Sequence, residues 1–328
     1  SCSHMSKLFL NAKIHKDTIA SRNLHLSANW CYSALSKFVS NILQQFLNSQ
    51  KHVFKNTKDF VHQLKSVPFN RQAKFAKIDI KHFFMSGDPV EVTPLACKPF
   101  EGLPIFDPLK RSVFFLLDHQ HVVDPSTGSS LKVKKGSGMG LPHSSAVSET
   151  AFLAASEQTL VRQLHTYRIL YYGRFKDDII IIYEELSLLE LKRGHPFDLL
   201  CEEVSSEKIT LLQVEVYKST HSFQARPVSK PSSLCTPWLS CRSNHHPSVH
   251  SSWPPNRLID RLQLCSGKDE KRREASSFLK RAQSEDVSMR ALVSIKSIAA
   301  NATKPTSRTA RVCATTYQKN LWFVLPHF

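Results

Sequence analysis

Two adjacent aspartates inside an apolar, β-prone region constrain this chain more than any other feature. Asp177 and Asp178 follow the aromatic and basic run 171–176 and precede four consecutive isoleucines. Aromatic and β-branched residues favour strands, so the sequence predicts a hairpin with two carboxylates at its tip. Adjacent carboxylates repel each other and are costly to bury, and Mg²⁺ takes oxygen ligands of this kind. Taken alone, the pair is better explained as an ordinary surface turn.

A third carboxylate occupies a separate predicted strand. Asp79 lies in segment 74–84, whose apolar run predicts a buried strand that ends in a turn or a short helix. By itself Asp79 also fits a helix cap or a surface turn. Two-metal phosphoryl transfer needs aspartates from separate strands, which hold two cations roughly 3.5–4 Å apart. Polymerase palms supply them from an Asp-x-x-x-x-Phe strand and a Phe-x-Asp-Asp hairpin, so the three aspartates together predict a palm.

The composition describes a globular protein with a polyanionic partner. The 328 residues can form two or three subdomains around a sizeable core, and 41% of them are hydrophobic. The net charge of +17 favours nucleic acid as a partner, with binding that weakens steeply as salt rises. Because basic residues are spread along the whole chain, a long binding groove is expected rather than a basic tail.

The cysteine pattern and hydropathy bear on location. Eight cysteines include no Cys-x-x-Cys pair, which indicates reduced thiols in an intracellular protein. No stretch is long and apolar enough to span a bilayer, so no membrane partner is expected. One cluster resembles a metal site but matches no common zinc spacing, and we expect it to have a packing role: Cys235, Cys241, His245, His246 and His250.

Hydrophobic periodicity predicts most of the regular elements. Helices are expected over 31–49, 57–64, 109–118, from 144 or 145 onward, and over 196–204, 257–264 and 268–283. Strands are expected over 119–123, 131–135 and 209–216. The first thirty residues are polar and mixed, and the proline-containing stretch 89–104 predicts a loop.

Several short motifs resemble, in content and order, those of Penelope-like retroelement reverse transcriptases, relatives of telomerase catalytic subunits. Segment 13–16 followed by Arg22 is similar to the family's Pro-Lys-x-His-Lys … Arg-Pro-Ile segment. Asp79–Phe84 resembles polymerase motif A, segment 136–145 resembles motif B, and Phe175–Asp178 resembles motif C. Further landmarks bring the resemblance to nearly the whole chain: Lys230–Ser232, His246–Pro247, Cys265–Ser266 and Trp322–Pro326.

The chain also departs from the family pattern. Ala12 and Asn23 stand where the family has prolines, and motif B has no second proline. Lys176 occupies a motif C position where a small or apolar residue is commoner. The Gly-Ile-Tyr … Tyr-Ile-Gly nuclease of many members is not expected within this chain, whose last glycine is Gly267.

The resemblance implies a mixed α/β (α+β) right-hand polymerase fold. Residues 1–75 would form the fingers, residues 76–225 the palm with an inserted fingers segment at about 89–135, and residues 226–328 the thumb and a C-terminal connection. The implied activity is RNA-directed DNA polymerisation on an RNA template and a DNA primer, using deoxynucleoside triphosphates. An intracellular, nuclear location is expected, and the oligomeric state is unknown.

The resemblance also implies roles for individual residues. Asp79 and Asp177 would ligate two Mg²⁺ ions, for which Mn²⁺ could substitute. Asp178 and the main chain of Ile80 would be further ligands. The implied nucleotide-binding residues are Lys13, Arg22, the steric-gate candidate Phe84, Gly140, His143 and Ser144. Phosphate contacts would come from Lys176, Arg257, Arg261 and Lys280, and a general acid from Lys208 or Lys218.

Three other functions remain open from the sequence. A degenerate palm could bind RNA as a scaffold without polymerising, and the unusual motif B favours that alternative. An RNA-dependent RNA polymerase shares the palm. Phe84 argues against it, because a polymerase that uses ribonucleotides has no reason to exclude the 2′-hydroxyl. A basic nucleic-acid-binding module with an incidental Asp-Asp pair is opposed by the intact order of the motifs.

Overall fold

A computed structural model of the chain describes residues 5–13, 20–27, 30–185, 197–228, 242–285 and 287–303, with the main chain only for 10–13 and 20–23. The landmarks Lys230–Ser232 and Trp322–Pro326, together with Cys235 and Cys241, lie outside the described residues. Within the described part, no helix is both long and apolar enough to cross a membrane.

A four-stranded antiparallel sheet forms the centre of the molecule. Its strands lie in the order β6 (Ile169–Phe175), β7 (Asp178–Tyr183), β3 (Lys74–Ile80) and β8 (Leu199–Ser205). Along β7, Ile180 and Ile182 pack into one hydrophobic core, and Ile179 and Ile181 pack into another on the opposite face. Because both faces of the sheet are covered, the strand is a continuous apolar run.

Different elements cover the two faces. One face packs against α5 (Ser144–Phe152), which continues through a π-helical turn at Leu153–Glu157 into α6 (Gln158–Arg162). The other face packs against α2 (Thr57–Leu64) and a three-stranded sheet. The strands of that sheet lie in the order β11 (Phe223–Pro227), β10 (Val214–Lys218) and β9 (Lys208–Leu211).

The N-terminal region forms a mixed sheet from two parts of the chain. An antiparallel hairpin of β1 (Ser6–Lys13) and β2 (Ala20–Leu26) is extended by β4 (His121–Val123), which is parallel to β1, and then by β5 (Ser130–Lys132). A separate core joins α5 to three further helices: α1 (Ser33–Ser49), α3 (Pro89–Cys97) and α4 (Phe106–Asp118).

Three helices follow the sheets. They are α7 (Pro247–Gln263), α8 (Lys268–Ser284) and α9 (Met289–Thr303). Leu258 of α7, Phe278 of α8 and Ile295 of α9 form their shared core. The predicted helices over 31–49, 57–64 and 268–283 are thus confirmed with small shifts of their ends. The helix predicted over 257–264 is longer than expected, because it already begins at Pro247.

Two sequence predictions around the central sheet are wrong. The predicted loop at 89–104 contains α3, because Asp88 and Glu91 form a capping box and Pro89 occupies the first turn, where proline is tolerated. The predicted helix over 196–204 is instead strand β8, which pairs antiparallel with β3 from Leu199 to Ser205. Pairing with β3 outweighs the local helical pattern there.

Two further differences concern hairpins. The polar N-terminal region forms the β1–β2 hairpin, whose pairing extends from Lys7–Leu26 to Lys13–Ala20. The single strand predicted over 209–216 is divided into β9 and β10 by a two-residue turn, with Leu212 at φ +53°. Neither the sequence of residues 14–19, between the two strands, nor the turn at Leu212–Gln213 contains the glycine that makes a hairpin recognisable in a sequence.

Candidate active site

Strand pairing brings the predicted acids to one end of the central sheet. Asp79 of β3 lies directly opposite Asp178 of β7, and the Ile80 N–H donates to the Asp177 carbonyl at 3.0 Å. Residues that lie opposite each other in an antiparallel pair project on the same face, with Cβ atoms roughly 4.5–5.5 Å apart. The structure therefore brings together three aspartates that the chain separates widely.

A tight hairpin turn holds the tandem pair. Phe175 and Asp178 are paired, which leaves Lys176 and Asp177 as a two-residue loop. Lys176 has φ +57°, an uncommon conformation for a residue with a side chain. A hydrogen bond from Arg174 Nη1 to the Lys176 carbonyl, at 3.0 Å, supports this conformation from below. The Lys176 side chain is exposed at the tip of the turn.

The acids share an unfavourable electrostatic environment. Burial raises the pKa of Asp178, and the charges of Asp177, Asp79 and Glu202 raise it further, whereas Lys77 opposes them. The Lys77 ammonium lies 2.7 Å from Glu202 and 3.7 Å from Asp178. Because one lysine faces several acids, this end of the sheet would be stabilised by an added cation.

The donor atoms suit Mg²⁺, but the predicted ligand cluster is not preformed. Carboxylate oxygens are the ligands that Mg²⁺ prefers, and the charges of Asp177 and Asp79 add to the burial that raises the pKa of Asp178. Among the residues described, however, no three acidic, histidine or cysteine side chains are arranged so that they could hold a metal ion. Asp178 instead faces Lys77. Ile80 is buried, so only its main chain could contribute an oxygen.

A buried ionic network lies beneath the hairpin. The Arg174 side chain is fully buried and donates from Nε to Glu157 at 2.8 Å, with Glu149 3.4 Å from its Nη1. The Tyr172 hydroxyl donates to the same Glu157 oxygen at 2.8 Å, and His52 Nε2 lies 3.4 Å from the other. The network therefore links β6 to the helix behind the sheet.

Electrostatics and main-chain bonds fix this network in place. Burial acts to raise the pKa of Glu157, but Arg174 and His52 lower it to about 2, so the carboxylate is charged. The Arg174 N–H donates to the His52 carbonyl at 2.9 Å, and the Phe54 N–H donates to the Arg174 carbonyl at 3.0 Å. We did not predict these residues from the sequence. The available signal was a lone arginine inside an otherwise apolar and aromatic strand, two residues before the turn.

The glycine-rich loop is packed too tightly for side chains. A Cβ on Gly136 would come within 2.2 Å of the Phe84 carbonyl oxygen, and one on Gly138 within 2.2 Å of the His25 ring. Gly140 has φ +102°, and a Cβ there would come within 2.4 Å of the His25 carbonyl oxygen. These close contacts are made with the protein's own N-terminal sheet and with Phe84, and the predicted contact of Gly140 with a nucleotide stays a prediction.

His143 and Ser144 are structural in this conformation. Both side chains are buried, and His143 Nδ1 is 2.8 Å from the Ser36 hydroxyl. The Ser144 hydroxyl donates to the Gly138 carbonyl at 2.5 Å. Burial lowers the pKa of His143 to about 3, with the neighbouring His25 adding to the effect. In this conformation the two side chains shape the loop from inside, and their contact with a nucleotide stays a prediction.

The remaining nucleotide-binding predictions fall on different parts of the fold. Phe84 belongs to a short 3₁₀ turn after β3 and is partly buried, with its ring centroid 5.2 Å from that of Phe83. Lys13 ends β1 and Arg22 lies in the paired strand β2, where only the main chain is described. These three assignments stay predictions.

The predicted phosphate contacts differ in their surroundings. Lys176 and Lys280 are exposed, and Arg257 is half-buried on α7. Arg261 forms an ion pair with Glu274 that joins α7 to α8, and its predicted phosphate contact stays a prediction. Of the zinc-like cluster, His246 caps α7 and His250 Nε2 lies 3.1 Å from the His245 carbonyl, as expected for packing.

The two general-acid candidates lie away from the aspartates. Lys208 pairs with Tyr217, and the neighbouring Lys218 lies with its ammonium 6.0 Å from the centre of the Phe75 ring. Phe75 is near the start of β3, whereas Asp79 is near its end, about 13 Å further along the strand. Neither lysine is positioned to protonate a leaving group beside the aspartates.

Comparison with known proteins identifies the fold. No family model and no curated protein matches the chain. The RNA-dependent RNA polymerase of a human picorbirnavirus superposes with a TM-score of 0.57 at 13% identity, over 91% of this chain and 61% of that one. Candida albicans telomerase, in complex with the TWJ fragment of telomeric RNA, gives 0.57 at 10% identity, over 91% and 59%.

A third structure extends the agreement. Telomerase from Candida tropicalis, also in complex with the TWJ fragment of telomeric RNA, gives a TM-score of 0.51 at 14% identity, over 86% of this chain and 54% of that one. The chain thus spans less than two thirds of the length of each of these structures. Identities this low show similarity of fold alone. The mixed α/β chain has the right-hand polymerase fold, with fingers, palm and thumb, that its sequence predicted.

Proposed function

We propose that the chain is an RNA-directed DNA polymerase of the Penelope-like kind, which extends a DNA primer on an RNA template from deoxynucleoside triphosphates. The observation that supports this most is the register of the central sheet. It sets Asp79 opposite Asp178 and beside Asp177, at the end of the palm sheet. A surface turn would not meet a third acid in this way.

In this proposal the acids bind Mg²⁺, with Asp79 and Asp177 as the principal ligands. When bound, two such ions would stabilise the charge on the attacking and leaving oxygens of nucleotidyl transfer. The chain's own residues position the substrates. The crowded acids attract the cations, the Arg174 network holds the hairpin, and the tightly packed glycine loop gives the site a rigid side. Exposed Lys176 at the turn is a donor for a backbone phosphate.

Two observations leave an RNA polymerase and an RNA-binding scaffold as alternative functions. The fold is shared equally with an RNA-dependent RNA polymerase, so the sugar of the nucleotide is not determined by architecture. The contact between Lys77 and Asp178, with no preformed metal cluster among the described residues, favours a scaffold that binds RNA without polymerising.

Primer extension separates these candidates. A labelled DNA primer on a polyribonucleotide template should be extended with deoxynucleotides and Mg²⁺, and extension should stop when the metal is chelated. Extension with ribonucleotides alone would identify an RNA polymerase. Tight RNA binding without extension, in either Mg²⁺ or Mn²⁺, would identify the scaffold.

Replacing Phe84 by alanine should relax discrimination between deoxyribose and ribose. Removing a bulky ring from the motif A turn opens space beside a 2′-hydroxyl, and we expect ribonucleotide incorporation to rise roughly tenfold or more relative to deoxynucleotides. The measurement is the ratio of kcat/KM for the two nucleotide types.

The matched control is Phe38→Ala, which removes an exposed ring from α1. Its discrimination ratio should equal that of the unaltered chain. An unchanged ratio in Phe84→Ala would show that this ring serves only the core beside Phe83.

A further inference from the structure

A basic groove opens at the opposite end of the palm sheet from the aspartates. It has a volume of about 780 Å³ and lies where β8 turns into β9 and β10 ends. Arg71, just before β3, lines one side of it. The five-residue step from Lys74 to Asp79 along β3 places the groove roughly 17 Å from the acids. It is therefore separate from the candidate active site.

The groove carries an excess of positive charge. Four basic and two acidic side chains line it: Arg71, Lys208, Lys218, Arg226, Glu207 and Glu215. Glu215 is already compensated, because Lys208 lies 3.1 Å away and Arg226 forms a second ion pair with it. Arg71 and Lys218, in contrast, form no ion pair with any residue that the structure describes.

Lys218 is held in place without a carboxylate partner. Its ammonium donates to the Arg71 carbonyl at 2.7 Å, which leaves two of its three N–H donors for other acceptors. Burial lowers the pKa of Lys218, with Glu207 opposing the effect. A partly desolvated cation of this kind would be stabilised by an anion that enters the groove.

The wall of the groove is rigid. The Arg226 guanidinium lies over the Tyr217 ring at 5.3 Å from its centroid. The Tyr217 hydroxyl is fixed by hydrogen bonds with Gln224, at 3.0 Å, and with Glu270 of α8. A stacked guanidinium retains donors at its edge, which match the geometry of phosphate oxygens.

We propose that this groove binds the phosphate backbone of a single-stranded nucleic acid at a second site, outside the catalytic cleft. The net charge of +17 and two cations without carboxylate partners favour a polyanion. Side chains of this kind contact phosphates without reading bases, so the binding should be insensitive to sequence.

The test is a binding titration with the full chain. Fluorescence anisotropy would measure the affinity for a labelled single-stranded oligoribonucleotide over a salt series, without nucleotides or divalent metal. The double variant Arg71→Gln/Lys218→Gln should bind about three- to tenfold more weakly. Its log–log salt slope should be shallower by about 0.7 for each phosphate that the variant no longer neutralises. The control Lys110→Gln removes an exposed charge from α4 and should leave both quantities unchanged.

A second measurement locates the binding site. Photocrosslinking of a 4-thiouridine oligoribonucleotide, followed by mass spectrometry, should label residues 206–226 in the unaltered chain and clearly less in the double variant at the same concentration. Crosslinks confined to the central cleft, or an unchanged salt slope in a variant with an unchanged melting temperature, would overturn the proposal.

Protection of the groove lysines from acetylation shows which class of anion the groove binds. If adenosine monophosphate or inorganic phosphate protects the lysines of the groove from acetylation whereas the oligonucleotide does not, the groove is a site for small phosphates and the proposal fails. If polyglutamate alone protects them, the groove is a site for acidic peptides and the proposal fails. Failure of the proposed polymerase activity would appear separately, as absence of primer extension by the unaltered chain.

Discussion

Replacing Asp177 by asparagine should reduce primer extension by roughly three orders of magnitude or more while leaving RNA binding nearly intact. The substitution preserves size and shape but removes one of the crowded charges at the end of the palm sheet. If those charges bind Mg²⁺, the variant loses cation affinity. Single-turnover extension measures the loss, and anisotropy with labelled RNA measures the binding.

The melting temperature tests the metal site without relying on polymerase activity. Mg²⁺ or Mn²⁺ should raise the melting temperature of the unaltered chain, because an ion that binds only the folded state stabilises it. The shift should disappear in Asp177→Asn. The control Asp198→Asn removes an exposed carboxylate at the same end of the sheet, which pairs with Lys81 at 3.0 Å, and it should keep both extension and the shift. Equal effects of the two variants would indicate a general charge effect instead of a metal site.

Replacing Arg174 by methionine should lower the free energy of unfolding by about 3–5 kcal/mol. The change leaves the Glu157 carboxylate buried without its guanidinium partner, and uncompensated buried charge is costly. It also removes the donor that supports the Lys176 carbonyl in the hairpin turn. Urea denaturation followed by circular dichroism measures the stability difference.

The matched control is Arg168→Met, just before the same strand. Arg168 is exposed and pairs with Glu184 and Glu185 at the surface, so its loss should cost less than about 1 kcal/mol. The double variant Arg174→Met/Glu157→Leu should recover part of the lost stability, because the unpaired carboxylate is gone. A loss no greater in Arg174→Met than in Arg168→Met would show that the network contributes little.

The same network should make the stability of the protein depend on pH in the acid range. Because the pKa of Glu157 falls from 4.5 to about 2 on folding, its contribution to stability is fully present above about pH 4.5. It should be lost as pH falls from there toward 2. In Arg174→Met the interaction with the guanidinium is absent and only His52 still lowers the pKa of Glu157, so this part of the acid sensitivity should shrink in the denaturation curves.

The sequence predicted the acids better than their surroundings. Asp79, Asp177 and Asp178 were recognisable because a charged residue in an apolar strand needs a special reason. Helices such as α1 were recognisable because their apolar residues repeat at helical spacing. Both signals are local, so they can be recognised without knowledge of the tertiary structure.

Other features depend on long-range pairing that no local pattern carries. Strand β8 looks helical from Pro196 to Val204 and becomes a strand because β3 offers it an edge. The motif B residues His143 and Ser144 were expected to face a nucleotide, but His25, Ser36 and the loop itself enclose them. The partners of Arg174 come from three separate segments of the chain, so only the fold could identify them.

The contact between β2 and the glycine loop has a mechanical consequence. The His25 N–H donates to the Met139 carbonyl at 2.7 Å, and the Ser27 hydroxyl donates to the Gly140 carbonyl at 2.9 Å. With the His25 ring pressed against Gly138, the N-terminal hairpin cannot tilt without dragging the loop. If the hairpin moves when a substrate binds, the glycine loop should therefore move with it as one rigid unit.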